Sequence, residues 1–169
     1  MQIKINKKGY TLVEMVIYVS VMSIVTLLIV NTVLTFSKSY KEINALRIVD
    51  GSAIDSMERI SREVRGSVSV DTVNSTLGSN PGVLTLIQSS GSQSTTTKFY
   101  VESGTLKVDV NGVYSGPLTG TGIVVDSLVF SKIDSNVTSA IKIDMTITGT
   151  YALTSKTKIY HTTVLLKTF

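Results

Sequence analysis

An uncharged apolar stretch near the start of the chain constrains it more than any other feature. From Met15 to Ser37 there are 23 consecutive residues without an acidic or basic side chain. As a helix rising about 1.5 Å per residue, this stretch would be about 34 Å long. The hydrocarbon core of a bilayer is about 30 Å thick, so the stretch is predicted to be a membrane-spanning helix.

Basic residues precede this stretch near the start of the chain. Lys4, Lys7 and Lys8 form a short positive leader, and positive charge next to a membrane helix favours the cytoplasmic side. The residues after the helix are then expected outside the cytoplasmic membrane. A secretory signal would end in a small-x-small cleavage site, but the stretch leads into Ser37-Lys38-Ser39. We therefore expect the helix to stay attached to the C-terminal part of the chain.

Length and charge limit the rest of the chain. At 169 residues it has room for one globular domain and an extension. Three of the four net positive charges belong to the leader, so the remainder is almost neutral. This argues against a dedicated nucleic-acid binder, which needs clustered positive charge, although nucleic acid as an occasional ligand stays open. The chain has no cysteine, which excludes disulfides and thiol chemistry.

The junction between leader and apolar stretch carries a family resemblance. Residues 7–14 read KKGYTLVE, which resembles the class III leader of type IV prepilins and pseudopilins. The resemblance implies cleavage by prepilin peptidase between Gly9 and Tyr10, and methylation of the new N-terminus at Tyr10. It also implies partners: other pilin or pseudopilin subunits, and an inner-membrane assembly platform. Tyr10 stands where Phe is more usual, and Asn31 stands where major pilins commonly have a helix-kinking Pro.

Glu14 can also be weighed on physical grounds. An acidic residue in a membrane helix costs about 2.5–3.5 kcal/mol at mid-helix and less near the interface. Such a residue usually needs a partner. The amino group freed at Tyr10 would be positively charged below a pKa of about 8, and it could pair with Glu14 of a neighbouring subunit. The alternative is that Glu14 lies among lipid headgroups.

A helical pattern continues beyond the apolar stretch. Apolar residues recur every three or four positions, which is the spacing of one helix face; they are Ile43, Leu46, Val49, Ala53, Ile54, Met57, Ile60 and Val64. Charged residues on the other face form two i,i+4 pairs, Glu58/Arg62 and Arg59/Glu63. One helix from about Tyr10 to Val64 is predicted, with Gly66 as its stop and Gly51 as a point where a bend is expected.

After Gly66 the period changes to two, which is typical of strands. Six strands are predicted, over 83–87, 98–101, 106–110, 123–130, 141–147 and 158–166. Tight turns are expected at Glu102-Ser103-Gly104 and at Asn111-Gly112. The hydroxyl-rich stretch Ser89–Thr97 is expected to be a loop.

The predicted fold class is therefore α+β, a long N-terminal helix packed on an antiparallel β-sheet head. The expected divisions are a basic leader (1–9), a membrane or filament-core helix (10–37), an amphipathic half-helix (38–66) and a β-rich head (67–169). This order resembles the pilin architecture. In finer detail, residues 57–65 and the short strands after them resemble J-type pseudopilins and related minor pilins, which implies a low-copy subunit.

No pattern of catalytic residues accompanies this layout. His161 is the only histidine, and a base or ligand role would need supporting groups. Asp126, Asp134 and Asp144 are too scattered to propose a metal site. There is no nucleophile-elbow, zinc-protease, phosphate-loop or EF-hand motif. We expect no enzyme activity, cofactor, metal or small-molecule substrate.

Three functional hypotheses remain. The first is a filament subunit that is stored in the membrane and then assembled through its N-terminal helix; the family's uses include adhesion, twitching motility, type II secretion and DNA uptake for competence. The second is a membrane-anchored extracellular binding domain with an uncleaved signal anchor. The third, a membrane-tethered enzyme, would need a polar cleft.

Overall fold

The computed structural model describes residues 9–90, 93–135 and 139–167. These residues form one long helix followed by eight strands. The chain divides into two compact units with the boundary between Tyr40 and Lys41. The α+β class predicted from the sequence is confirmed.

Helix α1 runs unbroken from Leu12 to Gly66, within two residues of the predicted bounds at each end. Glu14 lies in its first turn and Arg65 in its last, and each charge is favourable beside the partial charge of that helix end. Neither Asn31 nor Gly51 interrupts the helix. The two predicted ion pairs are present, with nitrogen–oxygen distances of 2.9 Å for Arg59–Glu63 and 2.7 Å for Arg62–Glu58.

The buried side of α1 in the second unit differs from the predicted one. Val49, Ala53, Ile60 and Val64 are buried as expected. Ile43 and Ile54, however, are 57% and 59% exposed, and the small residues Ala45 and Ser56 are buried instead. The prediction was wrong at these positions because apolarity alone selected the larger side chains.

Two antiparallel sheets complete the second unit. The first has the order β1-β2-β3-β4-β5 and the second the order β6-β7-β8. The strand bounds are β1 Ser69–Val70, β2 Leu84–Ser90, β3 Gln93–Glu102, β4 Thr105–Val110, β5 Val113–Pro117, β6 Ile123–Asp134, β7 Ser139–Tyr151 and β8 Thr154–Leu165. All six predicted strands exist, and β1 and β5 were missed. The expectation of a single sheet was wrong, since sequence periodicity identifies strands but not their pairing.

One apolar core joins the helix and both sheets. Its large, fully buried side chains include Ile60 from α1, Leu84 and Phe99 from the first sheet, and Phe130 and Met145 from the second. The sheets also meet through a backbone hydrogen bond, in which the Val125 amide donates to the Gly104 carbonyl at 2.8 Å. The helix therefore packs on a head in which both sheets share one interior.

The backbone angles of two hairpin turns agree with the residue types found there. Ser103-Gly104 and Asn111-Gly112 both have positive φ at each of their two residues, as two-residue hairpins of the favoured hand require, so both predicted turns are confirmed. A third such turn, at Ala152-Leu153 with φ of 46° and 68°, was missed because neither residue type indicates it.

The expected loop at Ser89–Thr97 was wrong. Ser89 pairs with Ser94 across β2 and β3, and Gln88 pairs with Thr95; residues 91 and 92 lie outside the described part. Threonine is β-branched and favours strands. The Asn111 side chain also accepts a hydrogen bond from the Thr96 amide at 2.9 Å. Polar composition indicated a loop, but the cross-strand pairing decides otherwise.

Candidate functional site: the N-terminal segment

The expected cleavage point lies just before the helix. Gly9 and Tyr10 are exposed and have no regular secondary structure, and α1 begins two residues later at Leu12. A Cβ placed on Gly9 would meet nothing within 4 Å. An exposed peptide bond outside a helix is one that a peptidase can reach. Lys4, Lys7 and Lys8, the predicted leader charges, lie outside the described residues.

Thr11 and Glu14 cap the start of the helix. The Glu14 amide donates to the Thr11 hydroxyl oxygen at 3.3 Å, and the Thr11 amide donates to Glu14 Oε2 at 3.5 Å. This reciprocal pair is a capping box, in which two side chains satisfy backbone amides that have no partner within the helix. Glu14 is half-buried. The carboxylate that the sequence singled out thus stabilises the helix start as well.

Tyr18, one turn further on, contacts both predicted site residues. Its hydroxyl donates to Glu14 Oε1 at 3.2 Å. Its ring lies edge-on to the ring of Tyr10, with centroids 6.3 Å apart and planes at 81°, which is a favourable aromatic geometry. Sequence reasoning missed Tyr18, although its i,i+4 spacing from Glu14 was visible and such pairs face each other on a helix.

The remainder of this segment presents an apolar surface. The most apolar 18-residue window of α1 has a mean hydropathy of 2.4, and none of it is buried. Among the described residues, α1 is the one helix long and apolar enough to cross a membrane.

Five serine and threonine hydroxyls inside the apolar stretch bond the backbone of their own helix. Each donates to the carbonyl four residues earlier at 2.8–2.9 Å; they belong to Ser20, Ser23, Thr26, Thr32 and Thr35. Polar side chains that bond their own helix backbone are tolerated in lipid, where no water can replace the missing partner. Glu14 is the one acidic or basic residue of the described segment 10–37.

In the second unit, polar contacts attach α1 to β8. Lys158 Nζ lies 2.7 Å and 3.0 Å from the two carboxylate oxygens of Asp50, and the Tyr160 hydroxyl also donates to Asp50. Lys156 pairs with Glu42 at 3.2 Å. The bonds from Lys158 and Tyr160 hold the pKa of Asp50 below its ordinary value. Burial, and then the bond to Asp50, raises the pKa of Tyr160.

The other polar residues that the sequence analysis considered for catalysis or metal binding do not form one cluster. His161 is exposed on β8 and contacts Asp144; the bonds from Lys142 and then His161 lower the pKa of Asp144. Asp134 accepts a bond from Ser139, and Asp126 accepts one from Thr148. Within residues 9–90, 93–135 and 139–167, no three histidine or acidic side chains are grouped as a metal ion would require.

Comparison with known proteins bears on the N-terminal segment. Residues 4–30 match a family model described as the prokaryotic N-terminal methylation motif. The chain carries a prepilin-type N-terminal segment. The match begins in the leader and covers Gly9, Tyr10, Glu14 and Tyr18.

The prepilin-type segment indicates the general role of the chain. The match over residues 4–30 supports a pilin-type subunit, of the kind that prepilin peptidase processes and that assembles with other pilin subunits. Its family points to structural subunits and not to enzymes. Together with the apolar helix, it fits anchoring in a membrane. No curated protein and no solved structure gave a significant match to the chain.

Proposed function

We propose that the chain is a low-copy structural subunit of a type IV pilus or a type II secretion-like filament. Prepilin peptidase cleaves it between Gly9 and Tyr10 and methylates Tyr10. The subunit is held in the cytoplasmic membrane by residues 10–37, with its N-terminus inside and its head outside, until an inner-membrane platform assembles it. The low copy number rests on the resemblance of residues 57–65 to J-type subunits and on Asn31 in place of a proline.

One observation carries this proposal. The exposed apolar helix of the prepilin-type segment has a single carboxylate, Glu14, four residues after the expected new N-terminus. Lipid stabilises the apolar surface before assembly, and the same surface on neighbouring helices can stabilise it afterwards.

Glu14 would set the register between subunits. In a water-poor filament core, a carboxylate and an ammonium group attract each other more strongly than in water. The charged amino group at Tyr10 of one subunit is the natural partner for Glu14 of the next. Each subunit then supplies one positive and one negative group, so that a regular stack leaves neither unpaired.

The first test is the chemical state of the N-terminus. The protein is purified from its native host, and its intact mass and N-terminal peptide are determined. We expect a chain that begins at a methylated Tyr10. A chain that keeps Met1 would contradict the proposal and support a membrane-anchored binding domain with an uncleaved anchor.

The second test concerns Glu14. Replacing Glu14→Ala removes the charge, and we expect incorporation into sheared surface filaments to fall about tenfold or more, since a hydrogen bond to a charged group contributes roughly 1.5–3 kcal/mol. The control is Glu58→Ala, which removes a carboxylate that pairs with Arg62 on the exposed side of the same helix. Equal incorporation of the Glu14→Ala variant and the unmodified protein would contradict a role in assembly.

A further inference from the structure

Tyr18 is the one aromatic residue that contacts both the expected new N-terminus and the acidic residue within the described part of the segment. Its hydroxyl bonds Glu14 Oε1 and its ring meets the ring of Tyr10. The three side chains lie along one side of the helix start. Glu14 and Tyr18 have the i,i+4 spacing of neighbours on one helix face, and Tyr10 lies two residues before the helix begins.

We propose that Tyr18 is a positioning residue, which orients Glu14 and Tyr10 of its own chain so that a neighbouring subunit's amino group finds the carboxylate in place. The inference rests on the proposed function, because it assumes that Glu14 receives that amino group. It adds a residue with a distinct role, since Tyr18 acts only through Glu14 and Tyr10.

The hydrogen-bonding capacity of Glu14 is compatible with this role. An ionised carboxylate has about four acceptor sites on its two oxygens. Tyr18 uses one on Oε1, and the Thr11 amide uses one on Oε2. Acceptor sites remain on both oxygens, so an incoming amino group can bond the carboxylate without displacing either contact.

The orientation of the Glu14 side chain affects the free energy of pairing. A glutamate side chain that has no contacts within its own chain must lose its rotamer freedom when the amino group binds. Fixing a long side chain costs up to about 2 kcal/mol of rotamer freedom. The hydrogen bonds from the Thr11 amide and the Tyr18 hydroxyl already restrict the Glu14 side chain before assembly, so less rotamer freedom is lost on pairing. The Tyr18 hydroxyl also supplies a partner to the carboxylate in lipid, where an unpaired polar group is unfavourable.

Two replacements distinguish the role of the Tyr18 hydroxyl from the role of the Tyr18 ring. Tyr18→Phe removes the bond to Glu14 and keeps the ring contact with Tyr10, whereas Tyr18→Leu removes both. The matched control is Ser20→Ala, which removes another hydroxyl from the same helix, one that bonds only the Val16 carbonyl at 2.8 Å among the contacts of the described residues. All variants are made in the full chain.

The first readout is hydrogen exchange of the Thr11 amide in detergent micelles. Tyr18→Phe should increase its exchange about two- to tenfold, the effect of one hydrogen bond of ordinary strength. The same replacement in a Glu14→Ala background should have no further effect, because the two residues act as a pair. Ser20→Ala should leave Thr11 unchanged. Exchange in residues 15–37 reports whether each variant keeps its helix.

The second readout is incorporation into filaments by the native host. We expect Tyr18→Phe to reduce incorporation severalfold, Tyr18→Leu to reduce it further, and both variants to be cleaved and methylated normally.

Additive effects of the Tyr18 and Glu14 replacements on exchange would overturn the inference while leaving the proposed function intact. The inference would also be overturned if the Tyr18 and Glu14 replacements were coupled in the exchange experiment but Tyr18→Phe left incorporation into filaments unchanged. An N-terminus that is never cleaved would instead overturn the proposed function, whatever the exchange experiment gives.

Discussion

Gly149 of β7 is a point of close approach between the helix and the second sheet. A Cβ placed there would lie 2.9 Å from Ile123 Cδ1 and would overlap Val49 Cγ2. It would also lie 3.5 Å from the Ala45 carbonyl oxygen. The missing side chain thus lets α1 pack directly on β7, and it explains why the helix buries small residues at this point.

Replacing Gly149→Ala should destabilise the protein. Because the added methyl group overlaps a packed core, we expect a loss of about 1–3 kcal/mol in the free energy of unfolding. The measurement is chemical denaturation of the full chain in detergent, followed by the near-ultraviolet signal of its tyrosines.

Gly51 provides the matched control on the other side of the helix. It is exposed within α1, and a Cβ there would meet nothing within 4 Å. Gly51→Ala should stabilise the protein by about 0.5–1 kcal/mol, the usual difference in helix propensity. If Gly149→Ala were as stable as the unmodified protein, the close packing of helix and strand would be disproved.

At the scale of elements, the contact between α1 and β8 depends on charge. Asp50 is the acceptor for both Lys158 and Tyr160, and these bonds keep its folded-state pKa below the ordinary value. A carboxyl group with a lowered pKa stabilises the folded state above its unfolded pKa, and that contribution is lost as the pH falls through the folded pKa.

Asp50→Asn should therefore change the response to acid. Near neutral pH we expect the variant to be less stable by about 1 kcal/mol or less, since the Asp50 side chain is 40% exposed and water weakens the pair. Below about pH 4, the ordinary pKa of the group, the difference should shrink. The measurement is thermal unfolding between pH 2 and 7.

Asp55→Asn, an exposed change on the same helix, is the matched control, because it removes a carboxylate without touching the contact between Asp50 and β8. Asp134 and Asp144 also have lowered pKa values, so the unmodified protein should lose stability in acid through several groups. A constant difference between the Asp50→Asn variant and the unmodified protein across this pH range would show that the Asp50 contact does not titrate as described.

For the whole molecule, the testable property is its orientation in the membrane. The chain has no cysteine, so single cysteines can report which side of the membrane they face. We expect Thr121→Cys, in an exposed turn of the head, to react with a membrane-impermeant maleimide on spheroplasts of the native host. Gln2→Cys, in a host that lacks prepilin peptidase, should react only after lysis. Labelling of Gln2→Cys on intact spheroplasts would reverse the proposed orientation.

The N-terminal part of the protein could be predicted from the sequence because its signals are local. The uncharged stretch from Met15 to Ser37, the KKGYTLVE junction and the continuous helix all depend on residues that are neighbours along the chain. The i,i+4 pairs at Arg59 and Arg62 were predicted for the same reason. The capping box was not predicted, although Thr11 and Glu14 have the required spacing of three.

The features that only the tertiary structure decided depend on residues that are distant in sequence. Sequence periodicity located six strands, but the division into two sheets rests on pairing, and pairing is a property of partners rather than of single strands. Likewise, α1 turns Ala45 inward at the point where Gly149, more than 90 positions later, permits a close approach. It turns Ser56 inward where the Ser56 hydroxyl donates to the Leu118 carbonyl at 3.2 Å. Local chemistry thus determined the helix and its prepilin-type start, whereas long-range packing determined which side of the helix is buried and how the head is built.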